Sequence, residues 1–307
     1  MDFTLTVEHL RRLCRAHCLP IPEREMVFIA LRGATPVDDE GGFEASHEIC
    51  TADIDHRHLR CAILQWTPSD GRYAVFPGST VHHVSYVDAG IGTNLMMSGR
   101  FEYRRGVHRA GMPTEHDAFR QISDAPILRD EDGSGNHYAA AVRHYNPPNN
   151  LHAGWAMGVD HPLYGSAGCQ VVAGFPQCPR RNGAPSVGSW KRFKQNAYAA
   201  DQQVFPYILL TGRDALRAVR QGDRSPPRLL FGSVGDAVSR VQKALTDLGH
   251  YAGGIDGRLL TETHRAVLAY QEQVFRPYSD RPGAVDGIVG PITSEALGVG
   301  LDRVSAG

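Results

Sequence analysis

The sequence predicts a β-rich domain followed by a small helical module, and three observations carry that reading. The chain of 307 residues has room for about two domains of roughly 150 residues each. Between Glu25 and Leu210, short apolar runs are broken repeatedly by Gly, Pro, Asp and Asn, the punctuation of strands and turns. Beyond about residue 230 the apolar residues instead fall three or four apart, which is helical spacing.

The elements follow in order. At the N-terminus Val7, Leu10, Cys14 and Cys18 recur at helical spacing, so a helix is expected over Thr4 to Leu19, within an N-terminal extension of residues 1–24. Strands are expected at MVFIALRG, RCAILQW, RYAVFPG, CQVVAGFP and FPYILLTG, the last running from Val204 to Thr211, and together they define a domain over 25–213. The amphipathic stretch LRAVRQ and then GDRSPPR follow, and Pro226-Pro227 stops any helix, so a linker is expected over 214–229. Val234, Val238, Val241, Leu245 and Leu248, then Thr263, Val267 and Tyr270, mark the helices of a module over 230–301.

Composition excludes several classes of function. Hydrophobic residues at 42 % and charged residues at 21 % describe a folded chain. Lys+Arg 32 against Asp+Glu 33 leaves no basic field to hold a polyanion, so nucleic acid is not an expected partner. No apolar run approaches 18 residues, and MDFTLTVEHLRRLCRAHCLP meets charge too early for a signal peptide. The expectation is a chain made in the cytoplasm, with no membrane segment. The six cysteines are then expected as thiols, with Cys14 and Cys18 in helix packing. His56, His58, His82 and His83 show neither HExxH spacing nor a CxxC partner, so no metal and no cofactor are expected.

The helical module carries GSVGDAVSRVQKALTDLGHYAGGIDGRLLTETHRAVLAYQEQV and then VDGIVGPITSEAL, with turns at Asp256-Gly257 and Asp286-Gly287, each followed by a threonine suited to capping a helix. From Phe231 to Leu297 it resembles the peptidoglycan-binding-like domain, with Val241-Gln242 and Leu245 in a first helix, Tyr270-Gln271 in a second and Gly290-Pro291-Ile292-Thr293 opening a third. Leu259-Leu260 departs from the aromatic-glycine pair common there. The resemblance implies a three-helix fold and binding to cell-wall glycan or stem peptide.

Chemistry is sought in NNLHAGWAMGVDHPLYGSAGCQVVAGF, residues 149–175. A thiolate nucleophile needs a base or cation to activate it and backbone N–H groups to meet the oxyanion. Cys169 is flanked by Gly165 and Gly168, which permit tight backbone, and His152 lies upstream on an extended segment that could pair across strands. Spacing alone leaves a buried structural cysteine open.

His152, thirteen residues, then Ser166-Ala167-Gly168-Cys169 resembles the active-site signature of the L,D-transpeptidase catalytic domain, and Ser-Ala-Gly-Cys-Gln resembles a phage-associated branch of that family. The resemblance extends to Gly99-Arg100-Phe101-Glu102-Tyr103-Arg104-Arg105-Gly106-Val107-His108 and Pro206-Tyr207-Ile208-Leu209-Leu210, spanning about Met26 to Thr211. It implies a mixed β-sandwich with few helices, with Cys169 as nucleophile, His152 as general base, and an oxyanion hole at the Gly168-Cys169 N–H groups. Ser166 and Gly168 are grouped with them as catalytic residues, with a plain turn hydrogen bond as the alternative for Ser166. Ala167 stands where the family usually has a second histidine, and His108 is the imidazole expected to replace it. His108, Arg105, Gln170 and Ala153 are the expected substrate-binding residues, since arginine forks suit stem-peptide carboxylates.

Together the two resemblances imply a peptidoglycan stem-peptide cysteine hydrolase, a carboxypeptidase or endopeptidase of endolysin or effector type, working through a thioester. It would act on the wall after release or non-classical export. The alternatives are 3-3 crosslinking or amino-acid exchange by the same acyl-enzyme, a non-catalytic wall-binding protein, and a metal-dependent amidase.

Overall fold

The computed structural model describes residues 1–37, 41–137, 141–222, 226–276 and 285–301. Its strands are β1 (Asp2–Thr6), β2 (Val27–Arg32), β3 (Ala34–Pro36), β4 (Ser46–Thr51), β5 (Cys61–Trp66), β6 (Tyr73–Ser79), β7 (Thr93–Met96), β8 (Gly99–His108), β9 (His116–Gln121), β10 (Ala125–Asp130), β11 (Val142–Tyr145), β12 (Leu151–Ala153), β13 (Gln170–Val172) and β14 (Val204–Thr211). Its helices are α1 (Val7–Ala16), α2 (Val84–Asp88), α3 (Ser189–Ala199), α4 (Gly212–Gln221), α5 (Asp236–Asp247), α6 (Thr261–Phe275) and α7 (Pro291–Ala296).

Eight strands close a barrel in the order β12-β13-β6-β5-β2-β14-β8-β9, and β1-β4-β3 and β11-β10-β7 form two smaller sheets. This corrects the expected sandwich. Leu151 of β12 pairs with Phe119 of β9, so the edges a two-layer sandwich leaves open are joined.

The unbroken apolar runs of β2 and β5 have a physical reason: both faces are covered. Phe28, Ala30, Ile63 and Phe76 fill the barrel, while Val27, Ile29, Leu31, Leu64 and Trp66 pack outward beneath the N-terminal segment and α4. Inside, the Phe28 ring stacks on Phe205 at 4.7 Å and meets Phe119 edge-on at 5.1 Å.

Two boundaries differ from the sequence reading. Asp2–Thr6 alternates exposed and buried residues and pairs with β4, so the N-terminal helix begins at Val7 and ends at Ala16. Thr6 caps it in a reciprocal bond with His9. Leu5, Leu10, Leu13 and Cys14 share one buried cluster with β2 and β5, so residues 1–24 complete the barrel's outer layer rather than extend from it. Within 214–229, α4 occupies the first half of the expected linker, capped by Thr211 and Asp214, and buries Ala215 and Ala218 against that same cluster. After it, Arg228 donates its backbone N–H to Ala16 O, Ser233 Oγ donates to His17 O, and Phe231 stacks on Phe101 at 5.7 Å.

The C-terminal part is helical, with Val238, Val241, Leu245, Leu259, Val267 and Val289 at its centre. Gln242 Nε2 donates to Asp256 Oδ1 (2.7 Å) and Thr263 Oγ1 (3.0 Å), and its Oε1 accepts from Gly257 N (2.8 Å). Gln271 repeats the pattern with Asp286 (3.1 Å), Thr293 (3.1 Å) and Gly287 N (2.8 Å). The threonines therefore do not cap helices: no side-chain cap bond opens α6 or α7, and Thr263 and Thr293 face a buried glutamine instead. Among the described residues no helix is long and apolar enough to cross a membrane.

Candidate active site

Strand alternation places His152. Leu151 and Ala153 point into the barrel with Val172, so His152 between them projects outward beside Val171, its partner in the parallel β12–β13 pair. Cys169 lies one residue before β13. The β8–β9 hairpin pairs His108 with His116 across its mouth and folds both rings over β12. His108 stacks on His152 at 4.0 Å, and the His116 ring centre lies 5.2 Å from that of His152.

The turn that carries the thiol is over-determined. Gly168 has φ +136°, and a Cβ there would lie 2.6 Å from Asn94 Cβ and 2.7 Å from Asn94 O, so only glycine fits. Asn94 N–H donates to Ala167 O (2.9 Å) and His83 N–H to Ser166 O (2.8 Å). Ser166 Oγ accepts from Gly168 N–H (3.0 Å) and donates to Cys169 O (2.8 Å). The Gly168 N–H is thus occupied, which removes it from the expected oxyanion pair. The Cys169 N–H has no acceptor among the described residues and is the donor left for that task.

His152 is 2 % exposed. Its Nδ1 lies 2.8 Å from Ala153 O, and a carbonyl only accepts, so Nδ1 carries the proton. Nε2 keeps its lone pair and has no hydrogen-bond partner. Burial, then the neighbouring His108 and His116, hold the ring well below the usual histidine range. Burial pushes the Cys169 thiol up to about 11, against the opposing pull of the Asn150 backbone and the Arg109 charge. The resting pair is a neutral thiol beside a neutral imidazole.

His108, His152 and Cys169 each bring a donor atom within 4.8 Å of the other two. That cluster does not make a metal cage. The two rings are parallel to within 13°, so an ion in the plane of one lies outside the plane of the other. His82 stacks on His137 at 4.7 Å and lies tilted against His56 at 4.3 Å, and His58 bonds to Asp55.

The expected substrate-binding residues divide. His108 joins the site, its Nδ1 3.0 Å from Asn150 Nδ2, the donor. Arg105 is turned away: its Nη2 donates to Ala197 O (2.7 Å) and Ala200 O (2.6 Å), and the guanidinium lies over the Tyr198 ring. Gln170 is buried beneath the turn, donating to Gly168 O (3.2 Å) and accepting from Tyr207 OH (2.9 Å). Ala153 faces the barrel core and offers the site only its carbonyl. Sequence reasoning missed Asn94 and His116. The second was detectable, because His108 and His116 flank RAGMPTE, a hairpin-sized loop that sets them opposite each other.

Residues 234–297 match the peptidoglycan binding domain family. The chain is 42 % identical over 104 residues to a protein of Mycobacterium tuberculosis (strain ATCC 25618 / H37Rv) named N-acetylmuramoyl-L-alanine amidase CwlM. That match covers 32 % of this chain and 24 % of the relative, so the chain spans about a quarter of the relative's length. No solved structure matches the chain.

Proposed function

We propose that the protein is a peptidoglycan stem-peptide cysteine hydrolase held at its polymer by the C-terminal helices. The observation that carries this reading is that His152, whose buried Nε2 has no partner, brings a ring nitrogen within 4.8 Å of the Cys169 thiol. The family match over 234–297 and the relative's name supply the polymer.

The steps follow from the protonation states. His152 Nε2 takes the Cys169 proton as sulfur attacks an amide carbonyl, so the unfavourable thiolate forms only as the C–S bond is made. The Cys169 N–H meets the developing oxyanion. The C–N bond breaks, His152 returns the proton to the leaving amine, and a thioester remains on Cys169. Water, deprotonated by the same Nε2, attacks the thioester and releases a carboxylic acid and the thiol. An amine in place of that water would give crosslinking or exchange by the same intermediate.

Alkylation and chelation test the chemical class. Iodoacetamide abolishes turnover of a purified muropeptide in proportion to Cys169 labelling, and EDTA leaves it intact. Loss of activity to EDTA with survival of alkylation would overturn the cysteine reading.

A further inference from the structure

We propose that His116 is a positioning residue that fixes the tautomer of His152 and shares its proton during the reaction. The inference rests on the Cys169–His152 reading and adds to it a residue that no motif contains.

Hydrogen-bond directions carry the argument. His116 Nδ1 lies 2.6 Å from Thr114 O, and because the carbonyl only accepts, His116 must hold its proton on Nδ1. Its Nε2 is then an acceptor, and it sits 3.4 Å from His152 Nδ1. His152 Nδ1 therefore faces two acceptors, Ala153 O and His116 Nε2. The opposite tautomer of His152 would set a lone pair against both. The proton is confined to Nδ1, and the reactive lone pair to Nε2, on the side left without a protein partner.

The contact matters more once His152 is charged. Among the described residues, what faces His152 is His108, His116 and Arg109 together with the Cys169 thiol. Among the described residues, the imidazolium formed on accepting the thiol proton finds its side-chain acceptor in His116, through a charge-assisted bond. His116 can accept because Thr114 holds its own proton away, and Asp117 offsets Arg109 and Lys194 around it. His108 serves differently: it stacks on the ring and takes its own bond from Asn150.

The test uses the full-length chain and reads iodoacetamide labelling of Cys169 by peptide mass spectrometry across pH, with the other five cysteines as internal references. His116→Phe keeps a ring but removes the acceptor, whereas Gln places a carbonyl oxygen near the lost Nε2. The expected result is Cys169 labelling shifted to higher pH in His116→Phe, in the same direction as His152→Ala, and restored by His116→Gln. Muropeptide turnover should show kcat lowered roughly ten- to hundredfold in His116→Phe with KM unchanged. If the Phe variant does not fold, His116→Ala against His116→Gln carries the same contrast. Labelling and kcat unchanged in the acceptor-free variant, while His152→Ala is slowed, would overturn the role of His116 alone. Labelling unchanged in His152→Ala as well would remove the base–nucleophile pair and this inference with it.

Discussion

The protein buries polar side chains in two contrasting ways. In the C-terminal helices, Gln242 and Gln271 are closed off from water, and every amide atom of each has a partner at a helix or turn. On the outer face of the barrel His152 is equally buried, but one of its two ring nitrogens has none. A buried polar group normally has its bonds satisfied, because an unmade bond costs about 1–3 kcal/mol. The glutamines hold a fold together. The histidine holds an unmet lone pair beside a thiol, which is where a reacting proton can go.

The largest effect should come from breaking the reactive side. Cys169→Ala is expected to lower turnover by roughly 10³-fold or more while wall binding and melting temperature stay close to wild type. Pull-down with purified wall, turnover assay and a thermal melt check the three together.

On the other side, Gln242→Leu should destabilise the C-terminal helices by about 3 kcal/mol, because it strands Asp256, the Gly257 N–H and Thr263 at once. Denaturant unfolding followed at that module would measure it, and wall binding should fall with the lost structure.

Acid sharpens the contrast further. Burial lowers both His82 and His264 to about 3. Below pH 6.5 the unfolded chain takes up protons that these folded side chains refuse. Stability is therefore full above that value and falls as the pH drops towards 3, by about 1.4 kcal/mol per pH unit for each histidine. Denaturant titrations between pH 7 and 4.5 would show the midpoint retreating. The glutamine hubs contribute nothing to that slope.

A smaller effect is expected at Arg105. Arg105→Met removes two bonds to the end of α3 and should cost about 2 kcal/mol of stability, with KM for a muropeptide unchanged. A raised KM with unchanged stability would return Arg105 to the substrate.

What the sequence disclosed depended on range. The strands β2, β5 and β14 were legible because apolar runs bounded by turns need only local text. Cys169, His152, Ser166 and Gly168 were nominated from one short motif and one gap, and the structure brings them together. Barrel closure was not, since the β12–β9 contact joins Leu151 to Phe119 through three-residue and six-residue strands that carry little pattern. Pro226-Pro227 hid α4 by drawing the whole stretch into a linker, although Thr211 and Asp214 spell a capping box at its start. Gln170 and Tyr207 meet across the barrel, a distance no spacing reports. His116 stands between these cases: hairpin length predicts its facing His108, but its acceptor role needs the direction of the Thr114 bond.

The most direct test of the account is mass spectrometry of purified muropeptides incubated with the wild type and with Cys169→Ala. Shortened stems or separated dimers with the wild type alone are the predicted result, and their masses would name the bond cut. The same products from Cys169→Ala, or stems released whole from the glycan by both proteins, would contradict the cysteine mechanism.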